Sequence, residues 1–511
     1  MIRNCLKDSC INFLDGLSTI KSPKINIDDS ILLPYYNRFL ECYRKLDSVT
    51  VGNKQVNNLN NNRGHGVPCN TLQIIFFLNK HQRLLDEMFS LYKFSEEEQK
   101  ATKDFIHMMV KKMQDNYKQT NNYNSKSNSK FCSEWFNHKG TKLSRGIYNL
   151  LKMNKIPDYF KRKMNIISDE IYGEFGSTDV RENIENYINA YEKYNIGFRG
   201  TNLNLKIFTR SGISEEELKK IVKRCFILSL FEENPKQIHI EFIGTDNVKR
   251  LPPKTSDKLL GPREINSGST SFGIVNEISI WREEECKKLI IHELIHYLDL
   301  DFRTMNNQIY RDFNIAPNIE IRLYEAYTEV WANVINCFTC VFECCAKYDS
   351  TANFKKVKEC LMYERKFACF QVAKILNHFC FTNIAEFLRP YDGDNKFKQT
   401  TSVFSYFFVK GLLLFNLDKL ITLMVSVQNN SPTNNNNSKN RVSIKFPDSN
   451  ENMLKFYNLI LDLCYQDKKK HIINYDSVFL KLVQYNLNYI RNKNNLRGKF
   501  FSSLRMTCIE V

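Results

Sequence analysis

Two histidines four residues apart are the clearest chemical signal in this 511-residue sequence. His292 and His296 lie in the stretch IIHELIHYLD, and Glu293 directly follows the first histidine. A four-residue step turns an α-helix by about 400°, so both imidazoles leave one face and can bind one metal ion. Glu293 lies about 100° away, where a carboxylate can take a proton from a metal-bound water. Two neutral imidazoles suit Zn²⁺, so we expect one zinc ion here.

An alternative interpretation of this stretch is a buried helix whose histidines bond only to neighbouring residues. The pattern is rare, since nine histidines and 56 acidic residues in 511 predict about 0.02 chance occurrences. Residues 289–291, 294, 295 and 298 are all Leu or Ile. Burying polar side chains in so apolar a helix is unfavourable unless they have partners. This argument favours the metal site.

Length and composition indicate a multidomain soluble protein. A chain of 511 residues with 42% hydrophobic content can form two or three cores. The first residues, MIRNCLKDSCINFLDG, contain no apolar signal segment, and the most apolar stretch, residues 404–427, is interrupted by Lys410, Asp418 and Lys419. We therefore expect a buried helix there, no membrane span, and an intracellular, cytoplasmic protein.

The sixteen cysteines fit a reducing compartment, so we expect free thiols and no disulfide framework. One cluster, Cys337, Cys340, Cys344 and Cys345, contains a CxxC and could form a second metal site. Positions 337, 340 and 344 also form one helical stripe, and we favour core packing. Cys69, in the loop-like GHGVPCN, could cap a zinc ion as an inhibitory thiolate, but no surrounding pattern supports that role.

The net charge of +17 is unevenly distributed. Residues 201–346 hold 18 Lys and Arg against 21 Asp and Glu, which gives −3, so the two flanks together carry +20. No zinc-finger spacing, phosphate loop or RNA-binding aromatic signature accompanies the flanking lysines. We expect most of them to be solvated surface, with weak polyanion contact through the flanks. A basic polyanion-binding protein with an incidental HELIH remains an alternative.

Hydrophobic patterning divides the chain into three predicted regions. Residues 1–198 are mainly helical and basic, residues 199–346 alternate strands with helices, and residues 347–511 are helical with an Asn-rich insert at 428–440. The Asn-, Lys- and Ile-rich composition resembles that of proteins encoded by AT-rich genomes, including those of large DNA viruses and some protists. If the source is a large DNA virus, we expect that the protein could be packaged into a virion.

Within the middle region we expect three strands, around residues 203–207, at 237–243 and at 276–281, with a Pro- and Gly-rich loop at 251–268. Alternation places His239 on an exposed strand face. The remaining candidate histidines, which we expect to be surface or ordinary core residues, are His65, His81, His107 and His138.

This order of strand, helix, strand, edge-type strand and histidine helix resembles that of the zincin metallopeptidases over residues 200–346. The resemblance implies an α+β fold, in which a mostly helical chain surrounds a small mixed sheet and an active-site helix. It also implies that the last strand before that helix binds an extended substrate. The metzincin branch has Gly and then His or Asp where this chain has Asp299 and Phe302. The gluzincin-like branch takes a Glu from a later helix, and the sequence EAYTE spans Glu325 to Glu329.

The resemblance implies a zinc-dependent peptidase acting on a peptide or protein substrate. His292, His296 and Glu325 would hold the metal, Glu293 would be the general base, and Glu329 would hold a ligating imidazole through its second N–H. Asp299, about −20° from His292 on the helical wheel, is a second candidate carboxylate beside the metal ligands. The donors nominated for the oxyanion are Tyr406 and His378. A catalytically silent protein with this fold, in a structural or assembly role, is a further alternative.

Overall fold

The structure, a computed structural model, describes most of the second half of the chain and parts of the first. Described are residues 28–51, 55–58, 190–209, 212–253, 259–271, 276–345, 350–393, 396–430, 442–492 and 499–509, with Leu14 and a few positions between 86 and 107. The chain forms two compact units, one of Met1–Asn57 with Ile171–Val511 and one of Asn58–Glu170. In the second unit Lys103 pairs with Asp86 at 2.7 Å.

The fold is α+β, as predicted. A six-stranded sheet has the spatial order β1-β2-β3-β4-β7-β6, and two small sheets pair β5 with β8 and β9 with β10. The β2–β3 and β7–β6 pairs are antiparallel, whereas β3–β4 and β4–β7 are parallel. The strands are β1 Gln55–Asn58, β2 Ala190–Phe198, β3 Thr201–Thr209, β4 Gln237–Ile243, β5 Leu259–Leu260, β6 Gly268–Ser271, β7 Glu277–Ile280, β8 Lys398–Gln399, β9 Tyr465–Asp467 and β10 Ile472–Ile473.

Helices make up most of the rest of the described chain. A π-helix, Phe404–Val409, leads directly into α8, and short 3₁₀ turns lie at Leu46–Ser48 and Ile309–Arg311. The α-helices are α1 Asp29–Lys45, α2 Glu215–Phe231, α3 Pro262–Ile265, α4 Cys286–Tyr297, α5 Leu323–Cys344, α6 Ser350–His378, α7 Ile384–Phe387, α8 Lys410–Phe415, α9 Leu417–Asn429, α10 Asn450–Cys464, α11 Val478–Asn492 and α12 Lys499–Ser502.

The three predicted strands are confirmed as β3, β4 and β7. In β3 the alternating residues Leu203, Leu205 and Ile207 are buried, as the period of two requires. Between β3 and β4, α2 begins where the Ser214 side chain accepts a hydrogen bond from the Glu217 N–H at 3.2 Å. The buried face of the sheet therefore follows directly from the alternation of apolar residues.

The prediction that the strand at 276–281 is an edge strand is wrong, because β7 is an interior strand. It lies between β4 and β6, and β6 ends the sheet beside α4. Strand β6 was not predicted, and residue 268 was expected to end a loop, because GSTS lacks the apolar alternation by which strands are recognised. The expected exposure of His239 is also wrong, since this residue is buried.

The three predicted regions do not match the compact units. Strand β2, Ala190–Phe198, pairs along its length with β3, so a boundary at 198 cuts a hairpin. The helices after residue 346 belong to the same unit as the sheet. The stretch 404–427, predicted as a buried helix, is divided into the π-helix, α8 and α9. None of the helices among the described residues is long and apolar enough to cross a membrane.

The described cysteines are mainly buried thiols. Cys337, Cys340 and Cys345 are free and buried, and no cysteine among the described residues joins a cluster of metal-ligand type. Core packing is thus the observed role of this stripe. Cys344, in contrast, is disulfide-bonded, so the expectation of free thiols is wrong at that position. Cys69 and His65, His81 and His138 lie outside the described residues.

A buried ion pair joins three helices of this unit. Arg224 on α2 pairs with Glu343 on α5, and the side chains are 0% and 3% exposed. Tyr43 on α1 donates to the same Glu343 oxygen at 3.2 Å. The guanidinium therefore neutralises a carboxylate that water cannot reach.

Arg224→Met should lower the free energy of unfolding by about 3–5 kcal/mol, because it leaves the Glu343 charge buried without its cation. The double variant Arg224→Met/Glu343→Leu should recover most of that loss, since two apolar groups need no charge partner. Urea unfolding of both variants measures the difference. Equal destabilisation in the single and double variants would show that packing, and not charge, dominates at this position.

Candidate metal centre

Helix α4 carries both histidines into the interior. Its residues from Lys288 to Tyr297 are all buried, and His292 and His296 are 3% and 5% exposed. The helix is preceded by Glu285 in the left-handed conformation, at φ 63°. Helix α4 contacts α2, β6 and β7, and its Leu and Ile side chains are buried, as its apolar sequence requires.

Helix α5 packs against α4 and supplies two acidic side chains. Glu325 and Glu329 are 6% and 1% exposed. Their four-residue spacing places both on one face of α5, which confirms the geometry expected from EAYTE. The later helix expected to carry EAYTE is thus observed as Leu323–Cys344.

Three atoms from these helices converge on one point. Nε2 of His292 lies 3.1 Å from Nε2 of His296, and the two nitrogens lie 3.3 Å and 3.2 Å from Oε2 of Glu325. Within the described residues this is the single cluster of three metal-ligand groups. The site can hold a metal ion, as the sequence predicted.

Carboxylates at the other ring nitrogens determine which way the lone pairs face. Nδ1 of His296 lies 2.7 Å from Oδ2 of Asp301, and Nδ1 of His292 lies 2.9 Å from Oε1 of Glu329. The Asp301 contact has hydrogen-bond geometry, whereas the Glu329 contact is a short ion-pair contact without it. We place both Nδ1 protons on the carboxylate side, because a carboxylate accepts and does not donate. Both Nε2 lone pairs then face the Glu325 carboxylate. Three acceptors directed at one buried point need a cation between them.

The pKa values show the same demand for positive charge. Burial alone would lower the pKa of His296, but the charges of Asp301 and Glu325 outweigh it and raise that pKa to about 10. Burial likewise opposes protonation of His292, yet hydrogen bonds with Glu325 and Glu329 raise its pKa. Burial would raise the pKa of Glu325, but the two histidines hold it well below the usual range. In the absence of metal, protons supply the charge.

Asp301, not Asp299, is the carboxylate beside His296. Asp299 is exposed and adopts φ 59°, and the Leu300 N–H bonds to the Ile295 carbonyl at 3.0 Å, which ends the helix in a left-handed turn. The wheel projection for Asp299 was wrong because it assumed that α4 continues. The reversal at Asp299 brings Asp301, which is 2% exposed, back to the imidazole.

Glu293 follows His292 on α4 and does not belong to the group of three converging side chains. Its Oε2 accepts a hydrogen bond from Thr270 Oγ1 at 2.7 Å, and its backbone carbonyl lies 3.0 Å from the same hydroxyl. Thr270 belongs to the edge strand β6, which sequence reasoning missed. Glu293 is thus a buried carboxylate that β6 holds and that is distinct from the three ligand-type groups.

Two tyrosines border the cluster. The ring centroid of Tyr406 lies 6.0 Å from that of His292, and Tyr324 lies equally far from His296. Burial, followed by the charges of Glu325, Glu293 and Glu329, raises the pKa of Tyr406 well above its usual value. Tyr406 is therefore a neutral phenol that can donate a hydrogen bond. It lies on the π-helix, a distortion that is frequent at functional sites.

His378, the other nominated donor, lies at the end of α6. It is buried, its ring centroid is 5.2 Å from that of Phe379, and it is not part of the metal-type cluster. These observations favour a core role for His378. Tyr324 was missed because a single tyrosine next to EAYTE has no distinctive spacing.

Buried lysines lie around Glu329 and the start of α4. Lys288 of α4 forms an ion pair with Oε1 of Glu329, the same oxygen that His292 approaches. Lys249 pairs with Glu285 at 2.8 Å. Lys410 donates to the Met506 carbonyl at 2.6 Å and adds its charge near Glu329. Burial would raise the pKa of Glu329, but Lys288, His292 and Lys410 hold it well below its usual range.

Comparison with known proteins adds no identification. No protein-family model, curated protein or solved structure matches the chain. Functional inference therefore depends on the chemistry of the site.

The metal-free protein should lose stability as pH rises from about 6.5 to about 10. The folded pKa of His296 is raised to about 10. Its stabilising contribution is therefore complete below its unfolded pKa of about 6.5 and disappears as pH rises through the folded value. Urea unfolding in the presence of a chelator, across this range, measures the loss. His296→Gln should show a smaller fall, and an equal fall would assign the effect to other groups.

Metal titration should rank the acidic residues around the site. Glu325→Ala should remove metal binding nearly completely, whereas Asp301→Ala and Glu329→Ala should each weaken affinity about 10- to 100-fold, as for residues that orient a ligand. Asp299→Ala is the matched control and should bind like the parent, because its side chain is exposed. Competition against a chromophoric chelator measures each affinity. A greater loss in Glu329→Ala than in Glu325→Ala would reverse their roles.

Proposed function

We propose that this protein is a zinc-dependent peptidase that hydrolyses peptide bonds in a peptide or protein substrate. One observation supports the proposal most directly. Three buried acceptor atoms, Nε2 of His292, Nε2 of His296 and Oε2 of Glu325, converge, and the next residue after His292 is a further carboxylate, Glu293, that is not among them. This is the arrangement of an open metal site with a neighbouring base.

The donor set favours zinc. Two imidazole nitrogens and one carboxylate oxygen are common zinc ligands, with bonds of about 2.0–2.2 Å. Tetrahedral geometry with bonds of about 2.0 Å separates ligand atoms by about 3.3 Å. The observed separations of 3.1 Å, 3.2 Å and 3.3 Å are compatible with such an ion. Mg²⁺ and Ca²⁺ prefer sites built from oxygen atoms, so the imidazoles argue against them.

Each neighbouring side chain then has a defined role. When bound, zinc would polarise the scissile carbonyl and lower the pKa of a water molecule. Glu293 would accept the proton of the attacking water and pass it to the leaving amine. Tyr406, kept neutral by its raised pKa, would donate a hydrogen bond to the oxyanion that forms on the carbonyl.

The fold offers an edge at which substrate can bind. Strand β6 ends the sheet and pairs only with β7 among the described residues. An extended peptide could add to its outer side through main-chain hydrogen bonds, within reach of Glu293. This placement transfers to β6 the role that the resemblance to zincins implied for the last strand. The resemblance and its gluzincin-like assignment remain part of the proposal.

Two other functions make different predictions. A silent protein of this fold would bind metal and cleave nothing, and a polyanion-binding protein would retain no stoichiometric metal. Metal analysis distinguishes a polyanion-binding protein from a peptidase. Chelator-sensitive cleavage of a denatured protein distinguishes a peptidase from a silent protein of this fold. A cytoplasmic location also belongs to the proposal, because eleven described cysteines are free.

Glu293→Gln should keep zinc and lose hydrolysis. The amide preserves the shape of the side chain but cannot act as a base, and Glu293 is not a metal ligand in this proposal. The expected fall in kcat is at least about 100-fold, the lower range for general base catalysis. Zinc stoichiometry and turnover of a cleaved library peptide should be measured together.

Asp299→Ala is the control for this experiment, because it changes an exposed carboxylate six residues further along the chain. It should leave both zinc content and turnover unchanged. Full activity in zinc-loaded Glu293→Gln would overturn the mechanism. A parent protein that binds zinc but cleaves no member of a peptide library would favour the silent alternative.

A further inference from the structure

Strand β6 contacts Glu293 at two places. Thr270 Oγ1 donates to Oε2 of Glu293 at 2.7 Å, and a Cβ added to Gly268 would lie 3.3 Å from Oε1 of the same side chain. Residues two apart on a strand face the same side, so Gly268 and Thr270 both face α4. Pairing of Gly268 with Ile280 and of Thr270 with Ile278 fixes this register.

From this geometry we propose that Gly268 and Thr270 form a cradle that positions the Glu293 carboxylate, an inference that rests on the proposed function for its catalytic meaning. Gly268 allows the close approach, and Thr270 supplies a directed hydrogen bond. Neither residue touches the three metal-ligand groups in the described contacts. Both are therefore positioning residues that act through Glu293.

The glycine is required by space and not by backbone conformation. A Cβ at position 268 would lie 2.9 Å from the Ser279 carbonyl oxygen and 3.1 Å from Cδ2 of Leu289. The first contact is with the backbone of β7, which is held on both sides within the sheet. A larger residue would push β6 away from α4, and Thr270 would lose contact with Glu293.

The hydroxyl restricts a carboxylate that could otherwise rotate. Thr270 has one hydrogen to donate, and the Oε2 contact at 2.7 Å is shorter than the 3.0 Å contact to the Glu293 carbonyl. A carboxylate is also the stronger acceptor, so we assign the hydrogen to Oε2. Holding a catalytic group in one orientation before substrate binds raises the rate of the chemical step more than it raises the affinity for substrate.

Thr270→Val tests the cradle, because valine keeps the shape of threonine and removes the hydroxyl. Infrared difference spectra of the metal-free protein, taken between each form and its Glu293→Gln counterpart, isolate the Glu293 carboxylate band. We expect this band to shift in Thr270→Val and to return in Thr270→Ser. Ser269→Ala is the matched control, since Ser269 faces the opposite side of β6, and it should leave the band unchanged.

Turnover provides the second measurement. With zinc content equal to the parent's, Thr270→Val should lower kcat about 10- to 100-fold at unchanged KM, the range for residues that orient a catalytic group. Thr270→Ser should restore kcat. An unchanged infrared band in Thr270→Val overturns the cradle, as does parental kcat or a failure of Ser to rescue.

The two measurements separate this inference from the peptidase proposal. A parent that hydrolyses nothing defeats the proposed function and the catalytic role of the cradle, while a shifted band would still establish the contact between Thr270 and Glu293. Active enzyme with an unshifted band defeats the cradle alone.

Discussion

The site depends on one electrostatic constraint, which is that three buried acceptor atoms face one another. Asp301 and Glu329 hold the Nδ1 edges of the histidines, so both Nε2 lone pairs point toward the Glu325 carboxylate. Such a group is stable in a protein interior only with a cation at its centre, either protons or a metal ion. Each imidazole therefore lies between a carboxylate behind it and the central cation, and its orientation follows from that charge order.

The surrounding helices extend this order outward. Oε1 of Glu329 accepts from Lys288 and also lies 2.9 Å from Nδ1 of His292, so one carboxylate oxygen links a buried ammonium to a candidate metal ligand. Lys410 is held by the Met506 carbonyl, which ties the segment after α12 to the same network. Because Lys288, His292 and His296 each contact a carboxylate, α4 can be buried along much of its length despite these polar residues. The core and the site consequently depend on each other for stability.

Features that local helix geometry determines could be predicted from the sequence, whereas features that depend on chain reversal or long-range pairing could not. The spacing of His292 and His296 on α4, and of Glu325 and Glu329 on α5, follows from the helical period alone. Asp301 could not be predicted from that period, because the left-handed turn at Asp299 ends the helix first. Strand β6 has no apolar alternation, since its GSTS sequence is shaped by close approach to α4 and not by core burial. The hairpin across residue 198 likewise depends on long-range pairing.

The number of converging groups bears on whether the site is catalytic or structural. Structural zinc sites are usually closed by four protein ligands, whereas catalytic sites use three and leave one position for water or substrate. Here three groups converge, and the remaining nearby carboxylate, Glu293, is held toward the sheet by Thr270. A structural site would gain stability by recruiting that carboxylate as a fourth ligand. In the proposed peptidase, Glu293 on α4 stays free to take a proton from a metal-bound water, next to β6, the strand proposed to bind an extended peptide.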